Sequence, residues 1–186
     1  MKRTMDLLLA LVAVLLLLLP MALVALAVRF TSRGPALYWS DRVGRHNRLF
    51  RMPKFRSMRV ETPEVATHLL QEPTFYLTPI GSFLRKSSLD ELPQLWCIVK
   101  GDMSFVGPRP ALYNQHDLIK LRTQLGVHEL LPGLTGWAQV NGRDELPLEQ
   151  KVALDAAYLR RRSLAFDLRI IWLTARKVLR REGVSH

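Results

Sequence analysis

The stretch best equipped for chemistry runs from Arg85 to Pro110, RKSSLDELPQLWCIVKGDMSFVGPRP, where two adjacent carboxylates, Asp90 and Glu91, stand among cations. Arg85 and Lys86 precede the pair, and Arg109 follows between two prolines in Gly107-Pro108-Arg109-Pro110. Proline fixes its own φ, so such a loop can present a guanidinium at little entropic cost, and the planar fork of arginine suits phosphate oxygens. Lys54 and Arg56, in Lys54-Phe55-Arg56-Ser57-Met58, supply further candidate phosphate-binding cations. Neighbouring residues of a helix project about 100° apart, so Asp90 and Glu91 should have separate roles. A carboxylate at a helix N-terminus stays ionised, which suits a nucleophile toward phosphorus or a ligand for Mg²⁺. The pattern points to metal-assisted phosphoryl transfer, with Asp90 and Glu91 as candidate catalytic residues and metal ligands. Taken without these neighbours, the same dyad would read as a helix cap and an acidic first turn.

Other chemistries lack their signatures. No Gly-rich loop with Lys and Ser or Thr, no HExxH and no paired Cys occurs, and His46, His68, His116, His128 and His186 are scattered without ligand spacing. Cys97 is the single cysteine and lies in the apolar run LWCIV, which excludes an internal disulfide and favours a reducing compartment.

Several elements must position the dyad. Pro93 is tolerated only in a first helical turn, so a helix carrying Leu92, Leu95, Trp96 and Val99 should begin close to Asp90 and end before Gly101. From Leu37 to Met58, apolar and aromatic residues flank Gly44-Arg45-His46-Asn47, which reads as a hairpin. Between Glu61 and Pro79, three prolines suggest a loop with one short helix. Residues 111 to 125 have the spacing of an amphipathic helix, and LPGLTGWAQVNGR after it is a candidate binding loop, with Gln139, Asn141 and Arg143 as candidate nucleotide contacts. The last helix sets Leu164, Leu168, Ile171, Trp172 and Val178 against Arg169, Arg176, Lys177, Arg180 and Arg181, as in a helix lying at a membrane surface; a core-packing helix with a solvated basic face gives the same pattern.

With 186 residues the chain can bury one core, and 27 Lys and Arg against 16 Asp and Glu, a net charge of +11, call for a polyanionic partner: nucleic acid, anionic lipid or a phosphorylated substrate. Leu7 to Val28 carries no charge and is long enough to cover a bilayer core. Pro20 would kink a helix there. Lys2 and Arg3 before the run and Arg29 and Arg33 after it leave no charge asymmetry, which would keep both ends cytoplasmic. A kinked re-entrant helix satisfies both features; a full span and a cleaved signal peptide ending near Ala25-Leu26-Ala27 are the alternatives.

Four segments together resemble one family: the anchor followed by TSRGPALYWSDRVGR, then KFRSM, SLDELPQLWCIVKGDMSFVGPRP and PGLTGWAQVNGR are similar to the bacterial sugar transferases known as monotopic phosphoglycosyl transferases. The likeness covers nearly the whole chain. It implies a mainly α fold with a small β-hairpin, in which a kinked re-entrant membrane helix (1–33, kink at Pro20) precedes a compact catalytic domain (34–186) with amphipathic interfacial helices, on the cytoplasmic face of the bacterial inner membrane. It implies transfer of a sugar 1-phosphate from a UDP-sugar to undecaprenyl phosphate, giving undecaprenyl diphosphate sugar and UMP, the first membrane step of bacterial glycoconjugate synthesis. Asp90 would form a covalent phosphosugar intermediate with Mg²⁺ as cofactor, Glu91 would position the metal or accept a proton, and Arg109 would grip phosphate. Anionic bilayer lipid is then the expected macromolecular partner rather than nucleic acid, and pairing as a homodimer is left open. One departure is Leu19, where the family commonly has Ser before the kink proline. The rival readings are a basic membrane-tethered binding module without catalysis and a metal-dependent phosphohydrolase that passes the intermediate to water.

Overall fold

The computed structural model describes residues 1–63, 65, 72–142 and 146–180. The uncharged run from Leu7 to Val28 lies within one long helix, α1 (Lys2–Thr31), which runs through Pro20 as a single element. Most of its apolar surface is exposed, including Leu15, Leu16, Leu19 and Phe30, so this helix is not the buried core of a soluble domain. One stripe does pack inward: Ala10, Ala13, Val14 and Leu17 meet Met52, Leu95, Ile98 and Met103, and Val24, Ala25 and Val28 meet Phe55 and Leu84.

The hairpin forms as the spacing predicts. β1 (Leu37–Val43) and β2 (Leu49–Phe55) pair antiparallel, Tyr38 opposite Lys54. Its turn holds His46 and Asn47 at positive φ, 55° and 58°. After the 3₁₀ turn Pro73–Tyr76 come α2 (Gly81–Lys86), a 3₁₀ turn at Leu89–Gln94, and α3 (Leu95–Lys100). Gly101 ends α3 in the left-handed conformation, φ 101°, with its N–H on the Cys97 carbonyl, as a helix-terminating glycine should.

Three elements differ from the sequence expectation. The dyad occupies a 3₁₀ turn rather than the start of an α-helix; Pro93 sits inside this turn, and the α-helix begins only at Leu95. Residues 111–125 divide into a strand, β4 (Ala111–Leu112), which adds to β1, and a shorter helix, α4 (His116–Gln124). The loop 131–143 contains β5 (Gly133–Thr135), paired parallel with β3 (Ser104–Val106), and a short helix, α5 (Trp137–Val140). The chain closes with α6 (Leu148–Arg161) and α7 (Leu164–Arg180). Phe166 and Ile170 of α7 enter the core with Val106 and Tyr158, whereas Leu168 and Trp172 on its other side remain more than half exposed. Of the apolar residues that the sequence pattern groups on one side of this helix, Leu168, Trp172 and Val178 are exposed, whereas Ile171 packs against the core. Helices therefore dominate, with a small three-stranded sheet (β2-β1-β4) and a two-stranded one.

Candidate active site

β2 alternates its side chains, and the position that carries Lys54 faces the 3₁₀ turn. Glu91 Oε1 accepts hydrogen bonds from Lys54 Nζ at 2.8 Å and from Arg109 Nη2 at 3.1 Å. One carboxylate oxygen thus gathers two of the predicted cations beside Asp90. The Glu91 side chain is 13% exposed and that of Lys54 16%, so this is a desolvated cluster in which each charge depends on the others.

Asp90 is itself buried. Burial pushes its carboxyl above the ordinary range; the Lys54 charge opposes that rise most strongly, Glu91 adds to it, and Arg85 and Arg109 pull it down. The expected α-helix N-terminus at Asp90 is corrected by the fold. Asp90 lies in a 3₁₀ turn, after Ser88 at φ 57°, and its charge is supported by neighbouring cations rather than by an α-helix dipole. Lys54 is lowered by burial, with Glu91 restoring part of its basicity.

Arg85 lies in the last turn of α2, where Nη1 meets Met58 Sδ at 3.2 Å, and its charge acts on Asp90. Arg56 goes elsewhere. Its backbone N–H binds the Ala36 carbonyl beyond the end of β2, and its buried guanidinium donates from Nη2 to the carbonyl and hydroxyl of Ser32 at 3.1 and 2.9 Å. It joins the hairpin to the end of α1 rather than lining the dyad. Gln139 and Asn141 spend their amides inside their own loop, on the Leu134 and Trp137 carbonyls. Arg143 lies outside the described residues.

The candidate binding loop is occupied in holding the Arg109 loop. Ser104 N–H binds the Pro132 carbonyl, Gly107 N–H the Thr135 carbonyl and Gly133 N–H the Pro108 carbonyl, each at 2.9 Å. The two backbones pass so closely that a Cβ on Gly133 would lie 2.1 Å from Gly107 N. The sequence expectation also passes over Arg122 and Asp155, a buried ion pair on α4 and α6. The available signal is a charged residue on the apolar side of each helix, Arg122 four after Leu118 and Asp155 three after Val152.

Among the described residues, no group of three or more His, Cys, Asp or Glu side chains could cage a metal ion. The two dyad carboxylates are hard oxygen donors, a set that fits Mg²⁺ held by one or two carboxylates with substrate phosphates completing its shell.

A model of the family described as bacterial sugar transferase matches residues 1–181. The chain belongs to that family. A UDP-glucose:undecaprenyl-phosphate glucose-1-phosphate transferase of Xanthomonas campestris is 43% identical over 96% of this chain and 38% of its own length. An uncharacterized sugar transferase of Bacillus subtilis, EpsL, is 43% identical over 85% of the chain and 77% of its own. An undecaprenyl-phosphate galactose phosphotransferase of Salmonella typhimurium is 41% identical over 81% and 34%. The chain therefore spans between about a third and two fifths of two of these relatives and most of the third.

Proposed function

We propose that this bacterial sugar transferase moves a sugar 1-phosphate from a UDP-sugar to undecaprenyl phosphate, giving undecaprenyl diphosphate sugar and UMP. The observation that carries the reading is the buried Asp90 beside Glu91, whose single oxygen holds Lys54 and Arg109. Such a cluster supplies a nucleophile and two cations for a pyrophosphate. The names of the relatives, UDP-glucose and undecaprenyl-phosphate transferases, support the substrate pair.

In the first step an Asp90 oxygen attacks the sugar-bearing phosphorus, the bridging P–O bond breaks, and UMP leaves with that electron pair. An oxygen of the lipid phosphate then attacks the same phosphorus, the aspartyl–phosphate bond breaks, and the Asp90 carboxylate returns. Lys54 and Arg109 can transfer their hydrogen bonds from Glu91 to phosphate oxygens, placing positive charge where negative charge gathers. Mg²⁺, held by Asp90 and Glu91, would neutralise phosphate charge when bound.

The lipid substrate requires a site at the membrane. We read residues 1–33 as the membrane segment and 34–186 as the catalytic domain on the cytoplasmic face of the inner membrane. Support comes from both ends of α1: Lys2 pairs with Asp167 and Arg3 donates to the Val99 carbonyl at one end, while Ser32 accepts from Arg56 at the other. Helix ends fastened to one body favour entry and exit through one leaflet, with Pro20 as the place of bending in lipid. The exposed Leu168 and Trp172 of α7 would rest on the surface.

The test is UMP release by the purified protein from a panel of UDP-sugars, with Mg²⁺ and undecaprenyl phosphate. Lipid-dependent release, abolished in Asp90→Asn, is the expected result. UMP with free sugar phosphate and no lipid product would instead establish a hydrolase, and no release from any donor would return the chain to the binding-module reading.

A further inference from the structure

A loop with proline at two of its three central positions has few handles. Pro108 and Pro110 have no N–H, so the backbone around Arg109 can be fixed mainly through its carbonyls. All three are taken, each by a different element. Gly133 N–H of β5 binds the Pro108 carbonyl at 2.9 Å, Arg122 Nη1 of α4 binds the Arg109 carbonyl at 2.8 Å, and Arg42 Nη1 of β1 reaches the Pro110 carbonyl at 3.3 Å.

Arg122 differs from the others in what stands behind it. Its Nε and Nη2 both donate to Asp155 Oδ2, at 3.0 and 2.6 Å, and the two side chains are 9% and 1% exposed. A buried ion pair repays its desolvation poorly, and apolar side chains of similar size often stabilise a core as well or better. What apolar residues cannot do is aim a third donor at one carbonyl. The pair does so at the residue whose side chain reaches Glu91.

We propose that Arg122, oriented by Asp155, is a positioning residue for Arg109: the pair fixes the peptide from which the Arg109 guanidinium reaches the donor phosphates. The inference rests on the proposed role of Arg109 in gripping the donor. A displacement of about 1 Å in a positioned group can cost about a hundredfold in rate, so the effect should be kinetic before it is structural. It should also fall on the nucleotide sugar and not on the lipid acceptor.

The experiment compares the native chain, Arg122→Met/Asp155→Leu, Arg109→Ala and the three substitutions combined. Thermal denaturation, UMP release and hydrogen exchange at the Gly107, Arg109 and Ala111 amides are measured for each. The apolar double variant is expected to melt near the native temperature, to raise KM for the UDP-sugar about tenfold or more, and to leave KM for the polyprenyl phosphate within about twofold. In the Arg109→Ala background the same pair of substitutions should cost little further, because its effect acts through Arg109. An equal loss in both backgrounds would overturn the proposal, as would native kinetics in the folded double variant. Arg122→Lys guards against a double variant that does not fold: it keeps a cation beside Asp155 but lacks the planar fork that holds Asp155 and the Arg109 carbonyl from separate nitrogens, so native kinetics there would also overturn the proposal. Hydrogen exchange reads the clamp without any reaction. Faster exchange confined to the Gly107, Arg109 and Ala111 amides supports it even if the native chain releases no UMP, an outcome that would remove the transferase reading alone, and unchanged exchange at all three sinks it.

Discussion

Asp90 is a carboxyl whose proton affinity burial raises and which the proposed reaction needs ionised. A carboxyl whose folded pKa lies above its unfolded value of about 3.9 binds its proton more tightly in the folded chain. Stability is therefore full below the unfolded value and is lost as pH rises toward the folded one. Asp90→Asn has no such charge to bury. In EDTA, its melting temperature should match the native one near pH 4 and exceed it at pH 7. An equal or lower value at pH 7 would mean that the attraction of Lys54 outweighs burial. Cys97 is the contrary case. Burial and the nearby Asp102 charge push its thiol up to about 11, so iodoacetamide at pH 8 should modify the urea-unfolded chain and leave the native one intact. Modification of the native protein at a comparable rate would show that α3 opens readily.

At the scale of elements, the site depends on the β3–β5 contact that holds the Arg109 loop. A Cβ on Gly133 would meet Gly107 N at 2.1 Å and the Thr135 carbonyl oxygen at 2.3 Å, both backbone atoms that cannot swing aside. Gly133→Ala should therefore cost about 2 kcal/mol or more, seen as a lower melting temperature. UMP release should fall with it at temperatures where the variant is still folded. Native stability would show that the backbones can separate without loss. This contact was not legible in the sequence, because three-residue strands have too few side chains to show a period and the partners lie some thirty residues apart. The hairpin was legible, since each strand is seven residues long and its turn is local. The same contrast runs through the site. Asp90, Glu91, Arg109 and Lys54 were marked by residue type and do meet, whereas Arg56, two residues beyond Lys54, follows the end of β2 and turns to Ser32. Residue type could not signal Arg122 and Asp155 as a clamp, because their meaning lies in where α4 and α6 cross.

At the scale of the molecule, the question is how a helix of 30 residues can be both the proposed membrane segment and part of the domain's packing. At about 1.5 Å per residue, α1 is about 45 Å long and exceeds a bilayer core of about 30 Å. A simple span would place Lys2 and Arg29 on opposite sides of the membrane. The fold places both ends on one body: Lys2 meets Asp167, Asp6 accepts from Phe105 N–H at 3.1 Å, and Ser32 meets Arg56. Pulling either end across the bilayer would break these contacts and strand the buried Asp6 carboxylate and Arg56 guanidinium. The prediction is that Thr4→Cys and Arg33→Cys, both at exposed positions, react with a membrane-impermeant maleimide in inverted inner-membrane vesicles and not in intact spheroplasts. Leu19→Cys, exposed on α1 and next to Pro20, should react in neither until detergent is added. The buried Cys97 keeps the background low without being replaced. Reaction of Thr4→Cys and Arg33→Cys from opposite sides would establish a spanning helix, and the contacts at one of its ends would then have to open in the membrane.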